Sequence, residues 1–177
     1  MEKARPVSLK EIRIRDNFWD KYRRLVREEI LKYQWCAMND QIEGAPKIHC
    51  IENFRIAAGE KQGEFYGAVF QDSDVAKWLE AVAYTLAEKP DKELKKLADS
   101  VIELIGRAQE PDGYFNTYFI LKEPGQRFRN LREGHELYTL GHMIEAAVAY
   151  KRATGEKRFL EIVQKMADLV ANTFGVE

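Results

Sequence analysis

Leu79-Glu80-Ala81-Val82-Ala83-Tyr84 and Ile144-Glu145-Ala146-Ala147-Val148-Ala149-Tyr150 are two versions of one stretch, and their relation decides the fold. Each leads through a short charged turn into a second apolar-periodic run, one passing Ala98-Asp99 and the other Ala167-Asp168. Each copy therefore reads as an antiparallel helix pair, and roughly 65 residues (79 to 144) separate the copies, room for a hairpin plus a long loop. One such pair cannot bury its apolar face alone, so neighbouring pairs must stack. The expected fold is all-α, an arc of hairpins belonging to a larger helical toroid.

Working outward, residues 93–108 carry Leu94, Leu97, Val101, Ile102, Leu104 and Ile105 on one face, and helices are expected over 75–87, 136–153 and 157–173. Ser73 or a flanking Asp is the expected cap of the first of these. Trp19, Tyr22, Leu25, Val26, Ile30 and Tyr33 give an amphipathic helix over 18–33 behind Asp16 or Asn17 as cap, and 51–58 reads as a short helix closed by Gly59. Val7, Leu9, Ile12 and Ile14 alternate, which predicts a short strand or extended arm over 7–14. Residues 36–50, 63–70 and 109–132 read as loops. Short turns at one end of each pair and long loops at the other place the long loops on one rim, where function is expected.

The chain has 177 residues, 45% apolar and 32% charged, within the range that buries a core. With 28 Lys and Arg against 29 Asp and Glu, there is no field to attract nucleic acid or an anionic membrane. No run is long and apolar enough to span a bilayer, and Met1-Glu2-Lys3-Ala4-Arg5-Pro6 leads into no apolar signal core, so a cytoplasmic location is expected. Cys36 and Cys50 form no metal-ligand spacing and read first as reduced, partly buried thiols, with a disulfide as the alternative in an oxidising compartment.

Three constellations could carry chemistry. His135, Tyr138 and His142 fall on one helical stripe beginning at a loop-to-helix junction, where His135 is placed to exchange hydrogen bonds with hydroxyls. His142 reads first as a packed histidine and second as a ligand group. Phe70-Gln71-Asp72-Ser73-Asp74, with Trp78 one turn later, reads first as a helix cap. An aromatic ring beside carboxylates also suits a sugar. Asp112-Gly113-Tyr114-Phe115-Asn116-Thr117 fits a pocket lining and a hydrophobic staple equally. P-loop, dinucleotide, GxSxG and HExxH patterns are absent.

Taken in order, Tyr33-Gln34-Trp35 with Met38-Asn39-Asp40, Asn53-Phe54 with Ala57-Ala58-Gly59, Glu64 through Val75 with Lys77-Trp78-Leu79-Glu80, Ala108-Gln109 with Asp112-Gly113-Tyr114, and His135-Glu136-Leu137-Tyr138 with Gly141-His142 and Ile144-Glu145-Ala146 resemble the N-terminal third of glycoside hydrolase family 127, the β-L-arabinofuranosidases. The resemblance covers nearly the whole chain. It implies that residues 1–177 form the N-terminal, incomplete portion of an (α/α)6 catalytic barrel whose family releases β-linked L-arabinofuranose with retention. It further implies that Phe70 and the loop with Asp72 and Asp74 lie near the sugar and that His135 contacts it; His142, on the same stripe as His135, is the remaining candidate substrate-binding residue.

The family's zinc-bound cysteine nucleophile and glutamate acid/base have no counterpart here, so catalytic and metal residues are expected outside this stretch, zinc with them. Cys36 and Cys50 do not match the ligand motifs. A retaining glycosidase needs both groups across the anomeric carbon, so the chain alone is expected to be inactive. Self-association or a companion chain is expected. The alternative is a non-catalytic carbohydrate-binding or protein-binding helical module.

Overall fold

The computed structural model describes residues 7–175. Asp16 caps the first helix, its Oδ1 accepting the N–H groups of Phe18 and Trp19 at 2.8 and 2.9 Å. That helix runs as α1 (Asn17–Leu25), a π turn (Val26–Ile30) and α2 (Leu31–Met38), so it reaches five residues beyond the expected end. After α3 (Cys50–Ala57), α4 (Asp72–Glu88) and α5 (Lys92–Ala108) form one hairpin, and α8 (Glu136–Thr154) and α9 (Arg158–Phe174) form another. Between the hairpins, the expected long loop contains α6 (Thr117–Leu121) and α7 (Leu131–Gly134). Asn116 and Asn130 cap these two helices.

The hairpins stack as copies. Lys77 of α4 lies over the ring of Tyr138 near the start of α8, while Tyr84 and Ala87 share a cavity with Ala149 and Ala153 farther along, so α4 and α8 run parallel. Glu103 pairs with Arg158 at 2.6 Å, and Gln109 donates to the Ile162 carbonyl at 2.8 Å, so α5 and α9 run parallel too. Gly106 leaves room for Ile162, whose terminal carbon would sit 2.9 Å from a Cβ there. Parallel neighbours built from antiparallel pairs are the geometry of an α/α toroid, and the chain forms an arc of one. Among the described residues there is no strand.

On its other side α4 meets α1 and α2 in the opposite sense: Arg23 binds Glu88, and Trp78 donates its indole N–H to the Leu31 carbonyl at 3.0 Å. The core lies between these layers. Ala76, Leu79, Val82 and Ala83 of α4 and Met143, Ala146, Ala147 and Tyr150 of α8 are buried, and the alanines let the two axes approach closely.

Two expectations need correction. Of the two readings of 7–14 the strand fails and the arm remains: the segment makes a 3-10 turn at Leu9–Glu11 and then runs irregularly, with Ile12 and Ile14 exposed. Among the described residues no strand lies beside it to complete a ladder. Its carbonyls are taken by guanidinium groups instead, Lys10 and Ile12 by Arg13 and Ile14 by Arg23. The start of α4 is not capped by Ser73 or an aspartate either. Gln71 occupies the cap position without a side-chain bond there, Ser73 accepts from Lys77, and Asp72 is committed elsewhere. Residues 1–6 lie outside the described residues.

Candidate functional site

Because α4 and α8 are parallel, their N-termini share one rim. Residues 63–70 cross it and deliver Phe70, 43% exposed, to the edge of α4. Its ring centroid lies 5.3 Å from that of His135, which meets Tyr138 edge-on at 5.8 Å, and Tyr138 meets His142 edge-on at 4.6 Å. Lys77 completes the strip, its Nζ 5.2 Å from the Tyr138 centroid and bonded to Ser73 Oγ at 3.0 Å and Asp74 Oδ1 at 3.4 Å. Burial acts to lower the Lys77 pKa, but the Tyr138 hydroxyl and the Asp74 carboxylate outweigh it and raise the value above the usual lysine range. Phe70, Asp74, His135 and His142 thus come together on one surface. Exposed rings beside fixed donors and acceptors suit a polyhydroxylated ligand.

The backbone of His135 is left-handed, with φ 52° and ψ 21°, immediately before α8. Its Nδ1 lies 2.8 Å from the Glu133 carbonyl, which can only accept, so Nδ1 carries the proton and Nε2 is the free acceptor. His142 is half-buried: Nδ1 is sealed from water and stands 3.4 Å from Glu145 Oε2. Its packed character and its place on the strip coexist.

Asp72, the remaining candidate at the start of α4, is turned inward from the strip. Its side chain is buried, Oδ2 accepting the Thr117 N–H and Oδ1 the Thr117 hydroxyl, both at 2.7 Å. Burial pushes its pKa up to about 7, against the lowering effect of the two Thr117 bonds and with help from the charge of Asp74. Asp72 ties the start of α4 to α6 and leaves Asp74 as the carboxylate on the rim.

The Asp112–Thr117 stretch is a staple. Tyr114, Phe115, Asn116 and Thr117 are all buried. The Tyr114 phenol donates to Glu136, whose other oxygen accepts the Phe128 N–H at 2.8 Å, and the Arg127 guanidinium lies 4.0 Å from the Tyr114 centroid. Burial pushes the Tyr114 phenol up, with the Glu136 bond acting in the same direction. Burial also raises the Glu136 carboxyl, partly offset by Tyr114, Phe128 and Arg127. Glu136 thereby secures the long loop directly after His135.

A further cluster escaped the sequence reading. His49 precedes α3 in the same left-handed conformation as His135, with φ 55° and ψ 23°. Its Nδ1 stands 3.3 Å from Asp40 Oδ2, and its ring centroid is 4.9 Å from that of Tyr66, which is 55% exposed. No motif flags this group, because residues 26 apart in sequence (40 to 66) are joined only by the fold. Next to it, Cys50 is buried with its thiol toward the Gln71 carbonyl, and burial raises its pKa. Among the described residues no three His, Cys, Asp or Glu side chains converge to hold a metal ion.

Comparison with known proteins decides the family. Residues 11–177 match the model of the β-L-arabinofuranosidase, GH127 catalytic domain. The chain belongs to this family. It is 43% identical to a non-reducing end β-L-arabinofuranosidase of Bifidobacterium longum subsp. longum, over 94% of this chain and 28% of that protein. A crystal structure of a GH127 β-L-arabinofuranosidase from Geobacillus stearothermophilus T6 superposes with a TM-score of 0.91 at 64% identity, covering 93% of this chain and 26% of that one. A further GH127 β-arabinofuranosidase gives a TM-score of 0.83 at 35% identity, over 94% and 27%. The GH127 chain described here thus spans about 28% of the length of its curated relative.

Proposed function

We propose that this chain supplies the substrate rim of a retaining glycoside hydrolase acting on β-linked L-arabinofuranosides. The observation that carries the reading is the apposition of Phe70 and His135 at the shared N-terminal edge of α4 and α8. Phe70 offers an apolar face to the ring carbons of the sugar, and His135 Nε2 accepts from a hydroxyl. Asp74 and His142 grip further hydroxyls, and Asp72 holds Asp74 in place through Thr117. The nucleophile, the acid/base and the zinc implied by the resemblance would come from residues outside this stretch. The proposed location is cytoplasmic; no helix described is long and apolar enough to cross a membrane.

A second reading, a helical module that binds a companion polypeptide, draws on one observation. Phe18, Trp19, Tyr22 and Leu25 of α1 are all exposed, and α1 buries no residue of its own. Titration of the chain with methyl β-L-arabinofuranoside, followed by amide and imidazole NMR shifts, tests the first reading. Saturable shifts at Phe70 and His135, abolished in His135→Ala, are expected. Joining the remaining barrel of the family should then restore hydrolysis that His135→Ala abolishes. Absence of sugar binding together with tight capture of a protein partner would favour the second reading.

A further inference from the structure

One face of α3 seats the segment that carries Phe70. Cys50, Asn53 and Ile56 recur every three residues and fall on one side of that helix. Each meets residues 63–71 at a separate point, in reverse order along the chain. A Cβ on Gly63 would lie 2.8 Å from Ile56 Cδ1, so the segment presses on α3 there with no side chain between. Asn53 donates to the Tyr66 carbonyl at 2.9 Å and accepts the Tyr66 N–H at 3.2 Å. The Cys50 thiol points to the Gln71 carbonyl at 3.9 Å. Residues 63, 66 and 71 thus run antiparallel to 56, 53 and 50, and the segment lies along the helix as a strap.

Asn53 is fully buried, where an amide is costly unless its bonds are made. Its side chain meets the Tyr66 backbone as a neighbouring peptide in a sheet would. The far end of the strap is closed locally: Gln71 Oε1 accepts the Ala68 N–H at 2.9 Å, and the Gln71 N–H returns to the Ala68 carbonyl at 3.1 Å. Gly67, with φ 110°, has the Gln71 amide where a Cβ would stand. The backbone is therefore specified on both sides of Phe70. That ring is itself half-exposed, so the chain beneath it, rather than an enclosing pocket, sets where it stands.

We infer that Asn53 is a positioning residue for Phe70: by pinning Tyr66 to α3 it fixes the ring 5.3 Å from His135 before any ligand arrives. The inference rests on the reading of Phe70 as a sugar-binding ring and adds the group that keeps it in place. Asn53 lies beneath the strap and touches no sugar. A ring already placed loses little freedom on binding, which is how a remote buried amide raises affinity.

Two readouts on the 177-residue chain separate placement from binding. His135 imidazole proton shifts, which sense the ring current of Phe70, report placement without ligand. Calorimetric affinity for methyl β-L-arabinofuranoside reports binding. Phe70→Ala sets the reference for both and should weaken the sugar about tenfold, in line with one stacked ring. Asn53→Ala should move the His135 signals toward that reference and weaken the sugar about threefold or more. In the Phe70→Ala background, Asn53→Ala should change the affinity no further, because its effect runs through the ring. An equal loss in both backgrounds, or unmoved His135 signals in a folded Asn53→Ala protein, would overturn the positioning role. Should Asn53→Ala fail to fold, Gly67→Ala, which disturbs the same strap away from α3, decides by the same readouts, and wild-type shifts and affinity would overturn the inference. Phe70→Ala with wild-type affinity would overturn the sugar-binding reading of the ring, while the His135 signals would still judge whether Asn53 places it.

Discussion

The Tyr114 phenol is bonded to the Glu136 carboxylate inside the protein, one residue after the left-handed His135 and at the first position of α8. The bond is a lever on the rim. Glu136 also holds the N–H of Phe128, another left-handed residue with φ 58°, so one carboxylate secures two strained backbone positions on either side of α7.

Glu136→Ala should therefore be among the most damaging single changes near the rim. It leaves the buried Tyr114 hydroxyl and the half-buried Phe128 N–H without an acceptor, at up to about 1–3 kcal/mol each. At this chain size each kcal/mol lost lowers the melting temperature by about 2–4 °C, so a fall of about 4–20 °C is expected. Tyr114→Phe keeps the Phe128 bond and should cost about half as much. In both variants the His135 imidazole resonances should move; a stable Glu136→Ala protein with unmoved His135 signals would refute the lever.

The Asp72 carboxyl gives stability a distinct pH dependence. Its native pKa, about 7, lies above the 3.8 of an unperturbed aspartate, so the native state binds the proton more tightly than the unfolded state. The contribution is fully present below about pH 4 and disappears as pH rises through 7. Asp72→Asn cannot ionise. Measured melting temperatures should fall between pH 4 and 7 in the wild type relative to Asp72→Asn, and parallel curves would contradict this assignment.

What the sequence revealed and what it hid follow from range. The hairpins were legible because their apolar periodicity is local, and the Asp16 cap and the Gly59 terminus likewise depend on neighbours a few residues away. The two repeats conceal a difference, however. The extra alanine in Glu145-Ala146-Ala147-Val148-Ala149-Tyr150 turns its tyrosine by about 100° relative to the first copy. Tyr84 accordingly remains at the surface, bonded to Glu80, while Tyr150 is buried against Asp99 of α5. The caps of α6 and α7 were hidden because these helices, five and four residues long, are too short to show a helical period. Asp72 was read as a cap because its partner, Thr117, lies 45 residues away. Likewise nothing near His49 signals that Asp40 and Tyr66 fold against it.

Gly113 is a sharp test of hairpin stacking. It has φ 96°, and a Cβ would lie 2.7 Å from the Lys165 carbonyl oxygen of α9, a backbone atom with little room to move. Gly113→Ala combines left-handed strain with that clash and should lose more than about 1 kcal/mol of stability. Gly125→Ala, which meets nothing within 4 Å, is the matched control. Chemical denaturation should separate the two; equal midpoints would mean that α9 does not press on this turn.

At His135 conformation and function can be pulled apart. A residue with a Cβ in the left-handed region carries roughly 1–2 kcal/mol of strain that glycine avoids. His135→Ala keeps the strain and loses the Glu133 bond, whereas His135→Gly loses the same bond and relieves the backbone. His135→Gly should therefore melt about 2–8 °C above His135→Ala. If the imidazole is the sugar ligand, both variants lose arabinofuranoside binding equally despite their different stabilities. If His135 serves only to shape the turn, His135→Gly will bind as the wild type does, and the ligand role assigned to His135 fails.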